Sequence, residues 1–223
     1  MDKYIKQFIE KYRNLLADED FTSLYKKADK ELPGYPDIGS LTQIFLDLDI
    51  DPLDYMSEIP NGYLTGAVVK SVDIPDHITN IGKSAFRKCN GLTSIIIPDS
   101  VTSIDDWAFN DCNSLTSVTI GSSVATIGDF VFKNCSKLTS VTIGNDVMTI
   151  GYEAFRDCIR LTSITIPDSV TSIGDSAFRG CSSLTDINYS GTKSEWQKIK
   201  KNLEWNYKTS LSVIHCTDGD LKS

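Results

Sequence analysis

The sequence predicts an α/β solenoid, a coil with a parallel strand ladder, preceded by a helical subdomain and closed by a helix-strand cap. Three observations carry the prediction. The chain repeats itself every 23 residues, each repeat holds one short alternating apolar segment, and helical spacing takes over where the repetition stops. The period is marked by Cys89, Cys112, Cys135, Cys158 and Cys181, by Phe86, Phe109, Phe132, Phe155 and Phe178, and by Leu92, Leu115, Leu138, Leu161 and Leu184. Ile81, Ile104, Ile127, Ile150 and Ile173 give a fourth column.

Within a period, Ile95 and Ile97 alternate with polar positions, as do Val118 with Ile120, Val141 with Ile143, and Ile164 with Ile166. That is a short strand with one buried face. Pro75, Pro98, Gly121, Gly144 and Pro167 then end each strand and turn the chain. Residues such as Val101, Ile104, Ala108 and Phe109 fill the interior from the opposite side. A single period cannot bury them alone, so neighbours must stack at about 4.8 Å along a ladder.

One period, starting at Leu92, reads L-T-S-I-I-I-P-D-S-V-T-S-I-D-D-W-A-F-N-D-C-N-S. It resembles the unit I-P-x-S-V-T-S-I-G-x-x-A-F-x-x-C-x-x-L-T-S-I of the BspA-like leucine-rich repeat family, over residues 68–189. The resemblance implies a right-handed horseshoe-like coil and a recognition role. Members of that family are mostly bacterial and protozoan surface proteins that bind other proteins and are not enzymes, so it carries over no catalytic residue. Two departures from the family are expected: residues 1–20 do not read as the export signal of surface members, and a helical segment stands ahead of the repeats.

Both ends are expected to be capped, because an open ladder exposes its core. Stepping back 23 residues from Phe86, Cys89 and Leu92 gives Tyr63, Gly66 and Val69, a degenerate repeat in which Ile59-Pro60 already follows the coil. Ahead of it, Tyr4, Ile5, Phe8, Ile9, Tyr12, Leu15 and Leu16 recur with helical spacing, as do Phe21, Leu24, Tyr25 and Ala28. Ser40 with Gln43 reads as a capping box for a further helix. At the other end Thr192 with Glu195 forms a capping box, and residues 212–216 read as a strand that pairs at the ladder's end. The expected organisation is a helical subdomain at 1–58, one degenerate and five regular repeats at 59–189, and a cap at 190–223.

Composition excludes several function classes. With 40% hydrophobic and 23% charged residues, the chain reads as folded rather than disordered. Residues 1–66, 67–187 and 188–223 carry −6, −4 and +2, which make up the formal charge of −8. No concentrated basic face is present to release counterions from phosphates, so nucleic acid is not an expected partner. No run approaches the roughly 20 apolar residues of a membrane span, and residues 1–20 do not read as a secretory signal. The expected location is cytoplasmic.

The six cysteines invite metal and disulfide readings. Ligand spacing such as C-x-x-C is absent and His77 and His215 are the only histidines, so no metal is expected. Cysteines one rung apart lie close enough to bridge, yet a reducing compartment and a buried turn favour free thiols. Those histidines lie about five coils apart and cannot share a site, and no phosphate-binding glycine loop appears. Neither a cofactor nor catalysis is expected.

Binding is sought where the repeat departs from itself. Between the turn Gly and the Ala-Phe pair lie Lys83-Ser84, Asp106-Trp107, Asp129-Phe130, Tyr152-Glu153 and Asp175-Ser176. Three successive coils thus carry an aromatic, and Trp107, Phe130 and Tyr152 form a candidate partner-binding ridge. Arg87, Lys133, Arg156 and Arg179 follow the Phe column as its rim. The alternative is that the aromatics cover the coil's own flank. Ile96, a lone apolar residue among Ser and Thr on the strand face, is a second candidate. The reading is a non-enzymatic intracellular protein-recognition module, with a bacterial or phage-encoded inhibitor as one variant. A secreted or cell-surface adhesin is the alternative. The partner protein's identity and the oligomeric state are not readable.

Overall fold

The computed structural model describes residues 56–202 and 204–222. The helical segment expected at 1–58 lies outside the described residues, apart from its last three positions. What is described is a parallel solenoid whose coils each run along three walls.

One wall is a seven-stranded parallel ladder of two-residue strands. It comprises β1 (Glu58–Ile59), β2 (Asn80–Ile81), β4 (Ser103–Ile104), β6 (Thr126–Ile127), β8 (Thr149–Ile150), β10 (Ser172–Ile173) and β12 (Lys200–Lys201). The degenerate coil joins it in register, with Ile59 opposite Ile81. A second wall carries the longer strands β3 (Ser94–Ile97), β5 (Ser117–Ile120), β7 (Ser140–Thr142), β9 (Ser163–Ile166) and β11 (Asp186–Tyr189). Their alternate apolar residues point inward and their Ser and Thr outward, with Ile96 of β3 as the apolar exception on the outer face. The sequence alternation also suggests a strand at residues 70–74, where none forms. Ile74 is still buried there, and Lys70 O accepts a bond from Thr93 N–H at 3.4 Å.

The third wall, between the two-residue strands and the Cys column, is built of turns. Phe86 N–H donates to Ala108 O at 2.8 Å, Phe109 to Val131 at 3.0 Å, Phe132 to Ala154 at 2.7 Å and Phe155 to Ala177 at 2.8 Å. Satisfying these groups requires a left-handed backbone at two positions per coil. Ser84, Trp107, Phe130, Glu153 and Ser176 form one such column, and Lys88, Asp111, Asn134, Asp157 and Gly180 the other.

The core is a column of rings. Phe86, Phe109, Phe132, Phe155 and Phe178 stack nearly parallel with centroids 5.0 to 5.4 Å apart. Tyr63 meets the first edge-on at 6.1 Å, and Trp205 meets the last the same way at the same distance. Beside them the buried Cys column donates S–H to the carbonyl of an earlier coil, as from Cys112 to Phe86 O at 3.0 Å. Burial pushes the thiols of Cys89, Cys112, Cys135 and Cys158 up, to about 12 at Cys112.

At the C-terminal end, helix α1 (Lys193–Lys198) starts at the expected capping box, with Thr192 and Glu195 bonding reciprocally. It buries Trp196 against Trp205 at 5.9 Å. Strand β13 (Val213–Cys216) pairs parallel with β11, and β14 (Gly219–Lys222) turns back antiparallel as the outermost strand.

The strand wall has one seam. β3, β5 and β7 form one sheet while β9, β11, β13 and β14 form another, although the opposite wall continues through β8 and β10. Val141 and Ile143 beside the seam are 7% and 6% exposed, against 2% or less for their counterparts in β5 and β9. The turn residues differ on the two sides of the seam. Gly121 and Gly144 let their coils close up so far that a Cβ on Gly144 would collide with the Gly121 carbonyl. The next turn is Pro167, which carries a Cβ and ring where Gly144 has neither.

Candidate recognition surface

The aromatic ridge rests on the left-handed column of the turn wall. Trp107 and Phe130 have φ of 63° and 60°, a backbone that bulky residues rarely adopt. Their rings stack with centroids 4.0 Å apart and planes 17° apart. Tyr152 comes from the neighbouring column, where Lys83, Asp106, Asp129 and Asp175 stand in the other coils. Asp106 and Asp129 there accept the backbone N–H one coil on, at 2.9 Å from Asp129 and 2.7 Å from Tyr152. Tyr152 meets Phe130 edge-on at 5.0 Å, so the structure brings the three predicted aromatics into one continuous ridge.

Cations flank it. The Arg87 guanidinium lies 5.4 Å over the Trp107 ring and Lys133 Nζ 5.2 Å from that of Phe130. Glu153, buried in the left-handed column, holds both Lys133 Nζ and Arg156 at 2.6 Å. Burial raises the Glu153 carboxyl, but the bonds from Lys133 and Arg156 outweigh it and hold it below the ordinary value. Glu153 in turn raises the Tyr152 phenol by accepting its hydrogen bond. Arg156 also reaches Asp157 at 3.2 Å. Arg179, expected in the rim, instead lies 5.2 Å over Tyr207 and pairs with Glu204 at 3.2 Å, at the end of the coil.

The flank-covering alternative has a share of the truth, since Trp107 and Phe130 are half-buried by each other while Tyr152 is exposed. Ile96 stands apart, 69% exposed on the strand face. It lines a shallow trough of about 720 Å³ with Asp76, Asp99, Thr119 and Thr142. Asp99 is structurally engaged, accepting from Ser122 N–H at 2.6 Å, a bond that lowers its pKa.

Sequence reasoning missed Glu153, the ion that ties Lys133 and Arg156 to the ridge. The signal was its place in the same column as Trp107 and Phe130, where Ser84 and Ser176 are small. Among the described residues, no group of three His, Cys, Asp or Glu side chains converges as a metal site, and no helix is long and apolar enough to cross a membrane.

The architecture is that of a leucine-rich repeat protein. Residues 57–211 match the BspA type leucine rich repeat region in six copies, and the chain belongs to that family. It is similar to the T. pallidum leucine-rich repeat protein TpLRR at 26% identity and TM-score 0.52, with 59% of this chain and 62% of that one covered. A leucine-rich repeat protein from Eubacterium ventriosum shares the fold at TM-score 0.61 and 22% identity, with 74% of this chain and 48% of that one covered. One from Bacteroides ovatus shares it at TM-score 0.52 and 22% identity, with 74% and 54% covered. The chain thus spans about half to three-fifths of these proteins. No curated protein matches it.

Proposed function

We propose that the chain is a protein-recognition module that contacts its partner through Trp107, Phe130 and Tyr152, with Arg156 at the rim and Ile96 as a separate contact on the strand face. The observation that carries this is the conformation of Trp107 and Phe130. A left-handed backbone costs a non-glycine residue about 1–2 kcal/mol, and Ser84 and Ser176 show that the fold accepts small residues in that column. Aromatics held there place large, rigid contact area on the outside of the coil, the kind of surface that dominates binding energy. The family supports recognition rather than catalysis. Occlusion of an intracellular target by a bacterial or phage-encoded inhibitor is one form of this recognition, and adhesion at the cell surface the other.

The test compares proteins captured from bacterial lysate by the wild-type chain and by the folded Trp107→Ser, Phe130→Ser, Tyr152→Ser variant. The proposal expects one partner to be captured by the wild type at least about tenfold more strongly, the loss of a hot spot of 1.4 kcal/mol or more. Equal capture by both chains overturns the ridge as contact surface. Antibody labelling of intact against permeabilised cells then separates the inhibitor form from the adhesin form.

A further inference from the structure

The outer edge of the strand ladder carries a defined register and opposite charges. Among the described residues β14 is the last strand of its sheet, and Asp220 and Lys222 are exposed on it. The edge is held rigid rather than frayed. All four of its residues pair with β13, Asp218 in the turn accepts from Lys193 N–H at 2.8 Å, and Thr217 N–H donates to Gly191 O at 2.9 Å. Asp220 also holds His215 Nδ1 at 2.9 Å.

The register follows from the hairpin. Cys216 and Gly219 flank a two-residue loop and form its hydrogen-bonded closing pair, so alternation points the backbone groups of Asp220 and Lys222 outward and those of Leu221 inward. An antiparallel partner strand must place outward residues opposite outward residues. Centring two copies of β14 on Leu221 does this, setting Asp220 opposite the partner's Lys222 and Lys222 opposite the partner's Asp220. Each pair then exchanges both backbone bonds and an opposite charge. Leu221, which packs on the core side, meets its own copy there. The same three residues thus supply the backbone register, the charge complementarity and the apolar contact of a two-fold interface.

We propose that the chain forms an end-to-end homodimer through β14, centred on Leu221. The surface is separate from the aromatic ridge, so the proposal stands independently of the one above. A four-residue strand buries less than a stable interface of about 1,200–2,000 Å² requires, so the dimer is reversible and concentration-dependent.

Sedimentation equilibrium from about 10 to 500 µM reads it, with circular dichroism confirming the fold of each variant. Lys222→Asp and Asp220→Lys each place like charges opposite one another, and each alone is expected to weaken dimerisation about tenfold or more. Mixing the two single variants restores complementary pairs and is expected to yield a heterodimer. The Trp107→Ser, Phe130→Ser, Tyr152→Ser variant is expected to dimerise like the wild type. A wild type that stays monomeric throughout, single variants that dimerise unchanged, or a mixture that stays monomeric overturns the proposal.

Discussion

Replacing Phe132 with Ala tests whether the ring column holds the coils together. Phe132 is fully buried at the middle of the stack, 5.4 Å from Phe109 and 5.3 Å from Phe155 with planes 10° and 18° apart. A buried Phe→Ala truncation costs about 3–5 kcal/mol, with the spread set by how far the site collapses. Collapse is hindered here, because the bonds from Phe109 N–H to Val131 O and from Phe132 N–H to Ala154 O hold the coils at ladder spacing. Two ring contacts are also lost, each contributing about 0.5–1.5 kcal/mol beyond area burial. The expected loss is therefore in the upper half of the range, about 4–5 kcal/mol. Urea unfolding should be followed by circular dichroism and by tryptophan fluorescence, the latter reporting Trp107 in the ridge and Trp196 and Trp205 in the cap. Coils stabilise one another chiefly through their neighbours, so a defect this central is also expected to separate the two probes. A loss below about 2 kcal/mol with coincident transitions would refute the stacked-column account.

Three further outcomes follow from the same geometry. In the native protein at pH 8, a thiol reagent is expected to label Cys216, half-exposed and itself raised by burial, slowly, and to leave the five buried column thiols untouched until the chain is unfolded. Rapid native labelling of Cys112 would contradict its burial. The Glu153 carboxyl is depressed in the folded state, so its contribution is present above the unfolded value of about 4.3 and lost as pH falls through the folded one. Thermal unfolding from pH 7 to 3 is expected to show a larger loss in the wild type than in Glu153→Gln, and parallel curves would remove the charge from the account. At the seam, hydrogen exchange at Val141 and Thr165 is expected to be faster than at Val118 and Asn188, with equal protection arguing for a continuous ladder.

The repeat made the register legible, because each column must serve the same place in every coil. Subtracting one period located Tyr63 beneath Phe86, and the structure sets those rings together. The capping box at Thr192 and Glu195 was equally readable, since its two reciprocal bonds need only local sequence. Backbone conformation was harder to see. Hydrophobic pattern carries no information on φ, and the left-handed column at Lys88, Asp111, Asn134, Asp157 and Gly180 shows itself only in its bias toward Asp, Asn and Gly. The seam was hidden for a related reason. Pro and Gly both end a strand, and the hydrophobic pattern does not record how closely successive turns approach, as Gly144 does Gly121.

The two left-handed columns separate what the fold requires from what it tolerates. In the second column, Gly180 meets the backbone requirement without a side chain, and Asn134 and Asp111 do so with side chains that bond one another at 2.7 Å. There the residue types follow the strain. In the first column Trp107 and Phe130 oppose it, and part of the cost is offset by their 4.0 Å stack and by the cations over their faces. That compensation is mutual: either ring alone would lack its partner while keeping its strain. The pair is therefore one unit, and Tyr152, reaching the same ridge from a relaxed neighbouring position, extends it without the same cost. Ser84 and Ser176 hold the same left-handed backbone, so the turn does not call for an aromatic in this column, and the aromatic pair is what motivates the proposed contact surface.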